Sequence, residues 1–139
     1  MGDADGDPAT ARLADLPWPE AARRLAGGRP LLLPIGAAAK AHGPHLPLGT
    51  DRIVVEAIAD RLAAKADCLV APTIAIGYYP AFVEYPASQH IGAGLFQDLL
   101  VPVMRRFIES GARRLVLLNN GVSTEGPVMV AAHTVYAET

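Results

Sequence analysis

The sequence is short of several things, and each shortage removes a class of protein. It has one cysteine, Cys68, so no internal disulfide framework can support it. Its 12 lysines and arginines stand against 14 aspartates and glutamates, a formal net charge of −2. No basic cluster is long enough to follow a phosphate backbone, which argues against nucleic acid as a partner. Every apolar run falls far below the ~18–20 residues that cross a bilayer, so no membrane span is expected. The first residues, MGDADGDPAT, are acidic and lack the basic-then-apolar order of a secretory signal. A cytoplasmic protein is the expectation. No serine, cysteine or lysine nucleophile stands paired with a histidine. No internal repeat or low-complexity segment is present.

What is present suits one α/β domain. Hydrophobic residues make up 51% of the 139 and charged ones 19%, enough apolar material for a core and too much for global disorder. Residues 1–12 read as a flexible N-terminal tail and residues 13–139 as the domain. PEAARRLAGG predicts a short helix stopped by Gly27-Gly28. RPLLLPIG predicts a buried strand closed by Gly36. DRIVVEAIADRLAAKA predicts a long helix capped by Thr50, with Ile53, Ala57, Ile58 and Leu62 on its apolar face. CLVAPTIAIG is a second apolar strand, whose Cys68 reads as a buried structural thiol. LFQDLLVPVMRRFIESG predicts a helix with a kink or a late start at Pro102. ARRLVLLN is a third strand. NGVSTEGP is a turn, and Pro127 fits the first turn of a last helix. Apolar strands alternating with amphipathic helices imply a three-layer sandwich with a mostly parallel sheet.

In such sheets ligands bind beyond the carboxyl ends of the strands. The post-strand loops here are residues 37–49, 77–92 and 120–126, and they hold three of the four histidines. His42, His45 and Asp51 lie within KAHGPHLPLGTD, and imidazole and carboxylate are normal ligands for zinc, manganese or iron. Two plainer readings stand beside that one: Asp51 complementing a helix N-terminus, and His42 pinning a loop. The aromatic loop YYPAFVEYPAS offers Tyr78, Tyr79, Phe82 and Tyr85 as pocket walls or as a subunit contact. NNGVSTEG is either an anion-binding nest or an ordinary turn closed by Ser123 or Thr124. His90 and His133 read as packing or surface residues. Lys40 has two readings, an ammonium that fills part of an ion's place or one that points to solvent, and solvent is the expectation.

PIGAAAKAHGPHLPLGTD resembles the signature loop of the creatininase (creatinine amidohydrolase) family. The likeness continues through APTIAIGYYPAFVEYPAS and RRLVLLNNG, over most of residues 30–126. The resemblance implies an α/β layered sandwich, a symmetric homo-oligomer, and metal-dependent hydrolysis of a small cyclic or linear amide at a two-metal centre. It places His42 and Asp51 at metal-ligand positions and His45 within the motif but not as a direct ligand. The substrate-binding candidates are His45 with Tyr78 and Tyr79 of the aromatic loop and Asn120 and Ser123 of the turn. Two family ligands are replaced. Lys40-Ala41 stands where a glutamate precedes the HG histidine, and Val122 stands where the third strand ends in Asn-Gly-His. Glu125 is the nearby carboxylate that could substitute. Family chains are also substantially longer, so this chain matches their N-terminal part, as a truncated member would. Two functions stay open: a metal-dependent amidohydrolase, and a catalytically inactive relative that binds a ligand or a partner through an incomplete site.

Overall fold

The computed structural model describes residues 11–139. The expected tail lies outside them as far as residue 10. Its last two residues are anchored: Ala11 is buried, and Arg12 bridges to Val70 and pairs with Asp60 at 2.7 Å.

Three parallel strands form the centre: β1 (Leu31–Ile35), β2 (Leu69–Val70) and β3 (Leu115–Asn119), in the order β2-β1-β3. Four helices connect and cover them: α1 (Trp18–Ala26), α2 (Thr50–Ala66), α3 (Ala93–Glu109) and α4 (Glu125–Glu138). Strand side chains alternate between faces, and the core divides accordingly. Leu31, Leu33 and Ile35 face Leu25 of α1, Phe96, Leu100 and Met104 of α3, and Val128, Ala131 and Val135 of α4. Leu32 and Val70 face Ala59 and Ala63 of α2. The result is the three-layer α/β sandwich the sequence implied, with β1 buried along its whole length. No helix among the described residues is long and apolar enough to cross a membrane.

Several local expectations need correction. The second strand is shorter than residues 68–77. Leu69 and Ala71 donate to the Pro30 and Leu32 carbonyls, and the next donor to β1 is Ile74, to Pro34. Three residues then oppose two, a bulge, and Pro72 sits in it, as proline in sheets commonly does. Pairing resumes at the bridge between Ile74 and Ile35.

The apolar face of α2 is not the one its large side chains suggest. Asp51, Val55, Ala59 and Ala63 are buried, at steps of four, while Ile53, Val54, Ile58 and Leu62 are exposed. Small residues let the helix lie close on the sheet. Gly36 shows how close: a Cβ there would stand 2.8 Å from the Asp51 carbonyl and 2.7 Å from Val55. Gly49 is the residue preceding the helix, and Thr50 donates to the Pro47 carbonyl instead of capping. α3 runs unbroken from Ala93 through Pro102, so no late start occurs. Its proline lies on the exposed side. Cys68 is buried, as expected, and burial pushes its thiol up.

Candidate functional site

The site lies at the carboxyl end of β1, where the loop of residues 37–49 turns back onto α2. The loop is apolar and turn-rich, yet it is braced from three directions. Ala38 N donates to the Ala75 carbonyl (2.9 Å), past the end of β2. Lys40 N donates to Leu48 O (3.0 Å), closing the loop on itself. Gln89 N donates to Ala39 O (2.8 Å), and Ala41 N donates to Ser88 Oγ (3.0 Å), which ties in the aromatic loop. Ala87 beside that serine has φ +68°, a left-handed conformation that a non-glycine residue holds only when its surroundings fix it. Gly43 supplies the other left-handed turn, at φ +79°.

Within this frame Asp51 is the hub. It belongs to the first turn of α2 and is 9% exposed. His42 Nε2 lies 2.9 Å from its Oδ1. Lys40 Nζ is paired with its Oδ2. Asn120 Nδ2, from the end of β3, donates to its backbone carbonyl at 3.0 Å. The opposite ring nitrogen of His42, Nδ1, lies 2.8 Å from the Lys40 carbonyl. Both His42 partners are oxygen acceptors, so a neutral ring can donate to one of them only.

Lys40 does not point to solvent, contrary to the expectation. It is 9% exposed, and its ammonium lies 5.5 Å from the ring centre of Tyr79 and 5.1 Å from that of Phe82. Lysine is almost never this buried unless it is paired, and the Asp51 carboxylate together with two π faces supplies the pairing. Tyr79 is itself buried, at 3% exposure. Burial, reinforced by the Asp51 charge, pushes its hydroxyl up to about 12.

The remaining candidates fall into two groups. Tyr78 packs its ring on His90 at 5.5 Å, and His90 Nδ1 accepts from Tyr79 N at 2.9 Å, so this histidine orders the aromatic loop. His45 and His133 are exposed. Glu125 is exposed on the first turn of α4, in an open cleft of about 500 Å³ lined also by Asn119, Asn120 and Val122. Ser123 is partly exposed in the same turn. What closes that turn is Thr124, buried, whose hydroxyl donates to Asn119 Oδ1 at 2.7 Å. Sequence reasoning misplaced Lys40 and passed over Ser88 and Asn119. An isolated charge inside AAAKAH, with no acidic neighbour in sequence, was the signal for the first.

A divalent ion does not fit these residues as they stand. His42 and Asp51 offer two ligands, whereas a zinc site takes at least three from protein. No three His, Cys, Asp or Glu side chains among the described residues are grouped to hold an ion, so Glu125 does not complete the set. Asp51 Oδ2, which accepts no regular hydrogen bond, is covered by the Lys40 ammonium.

Known proteins place this architecture. The profile of the creatininase family, described as creatinine amidohydrolase, matches residues 14–139. A 3-dehydro-scyllo-inosose hydrolase from Thermotoga maritima is 34% identical over 104 residues, which are 74% of this chain and 33% of that one. A creatinine amidohydrolase from Pseudomonas putida is 29% identical over 113 residues, 77% of this chain and 43% of that one. A solved manganese creatininase superposes with a TM-score of 0.85 at 25% identity, covering 92% of this chain and 52% of its own, and a zinc–zinc form matches equally well. The chain thus spans about half the length of these relatives, or less. With the profile running from residue 14 to the last residue, and the sheet and its connecting helices superposed, the chain belongs to the creatininase family.

Proposed function

We propose that this chain carries the His42–Asp51 part of an amide-hydrolase site, acting on the C–N bond of a small cyclic or linear amide. The observation that supports it most is the convergence of His42, Asp51 and Asn120 at the carboxyl ends of β1 and β3, in a chain whose family relatives are hydrolases. Amide hydrolysis needs a cationic group to polarise the carbonyl and a proton carrier to serve water and the leaving nitrogen. His42, at Asp51, is a group of the second kind, while the Lys40 ammonium is paired with the Asp51 carboxylate and lies over the Tyr79 ring. A ring-opening and amine-release assay over a panel of small amides tests the reading. Turnover lost in His42→Ala supports it. No turnover by the folded protein, with or without added zinc or manganese, contradicts it.

A second reading has its own support. The ammonium on Asp51 Oδ2 favours a catalytically inactive creatininase-fold domain that binds a small ligand or a partner chain. Self-association belongs to either reading. The β3 edge carries no fourth strand among the described residues, and α2 exposes four large apolar side chains, surfaces that commonly pair. A dimer or larger assembly is expected by light scattering, and a clean monomer counts against it.

A further inference from the structure

We propose that the Lys40 ammonium is the resident cation of this site, standing in the place of a divalent metal ion, so that the His42–Asp51 pair is held and neutralised without metal. The inference rests on the reading that the site centres on His42 and Asp51, and not on turnover.

Four observations carry it. The Asp51 carboxylate is fully committed, Oδ1 to His42 and Oδ2 to Lys40, and Oδ2 has no other partner among the described residues. One buried carboxylate faces one buried ammonium, so the local charge is closed, and a dication entering beside them would meet a like charge in a poorly solvated place. The ammonium sits against the faces of Tyr79 and Phe82, a cradle that suits an organic cation. Finally, the backbone that carries Lys40 is fixed. The N–H groups of Lys40, Ala41 and Gln89 hold it on both sides. Relatives solved with manganese and with zinc show what the alternative cation would be.

The test is metal titration of the metal-stripped parent, of His42→Ala, of Lys40→Glu and of Lys40→Glu/His42→Ala by calorimetry, with circular dichroism to check folding. The parent is expected to bind no zinc or manganese stoichiometrically. Lys40→Glu exchanges the cation for a third carboxylate or imidazole ligand, and is expected to gain about one zinc per chain. Removing His42 abolishes that gain. Tight one-per-chain binding by the parent that depends on His42 overturns the proposal, and so does a folded Lys40→Glu that gains nothing. If the variants fail to fold, the parent alone decides. The chain has two lysines, Lys40 and the exposed Lys65. Reductive methylation read by mass spectrometry should modify Lys40 at least about tenfold more slowly than Lys65, because a committed, buried ammonium is withheld from reagent. Equal rates overturn the proposal. Metal stoichiometry and amine protection are read without any substrate, so their outcome stays distinct from that of the amide assay.

Discussion

The loop after β1 and the turn after β3 meet at the same end of the same sheet, one strand apart, and they treat charge in opposite ways. The first, with the helix start it folds onto, buries Lys40 and Asp51, half-buries His42, and pairs all three with one another. The second buries an uncharged hydroxyl, Thr124, and leaves its charge, Glu125, in solvent beside Val122 at 91% exposure. Asn120 joins them through its contact to the Asp51 carbonyl. Buried charge is costly unless every member is paired, so the first loop must be rigid, and its bracing follows from that need. The second has no such debt and ends in an open cleft. The two halves of the site therefore respond differently to substitution.

The largest expected contrast comes from removing a carboxylate in each region. Asp51→Ala strands the buried ammonium and should destabilise by about 3–5 kcal/mol in urea unfolding, whereas Glu125→Ala should change stability by less than about 0.5 kcal/mol. Comparable losses would break the comparison. Next comes pH. Tyr79 titrates near 10 unfolded and about 12 folded, so the folded state holds its proton longer. Its contribution is complete below pH 10 and is lost as pH rises toward 12, on the order of 2 kcal/mol. Unfolding midpoints between pH 9 and pH 12 should therefore fall more steeply for the parent than for Tyr79→Phe. Thr124→Val ranks third, at about 1 kcal/mol, since Asn119 Oδ1 keeps Gly121 N as a partner at 3.1 Å. Val122→Ser should lie within about 0.5 kcal/mol of the parent, as an exposed residue with nothing to lose.

Much of this was legible in the sequence, for reasons that can be named. Element order and the parallel sheet followed from apolar runs of strand length alternating with helical periodicity. The motif HGPHLPLGTD located the site, and the structure brings His42 and Asp51 together at 2.9 Å. What periodicity could not reveal was which stripe of α2 is buried. Ile53, Ile58 and Leu62 are the more hydrophobic choice, but closeness to the sheet at Gly36 selects Asp51, Val55, Ala59 and Ala63. Lys40 was illegible for a related reason. Its partner lies eleven positions away, and only the folding of the loop onto α2 shows that the ammonium and the Asp51 carboxylate meet. Glu125 was an inference from proximity in sequence; the turn that Thr124 closes leaves it on the solvent side of α4.

The central claim, that Lys40 and Asp51 act as one paired unit inside this site, is tested most directly by a double-mutant cycle. Lys40→Met, Asp51→Asn and the double variant would be unfolded in urea beside the parent. The account predicts a coupling energy of about 2 kcal/mol or more, with the double variant more stable than the sum of the single losses implies. A coupling below about 0.3 kcal/mol would mean that the two charges ignore each other, and would contradict it.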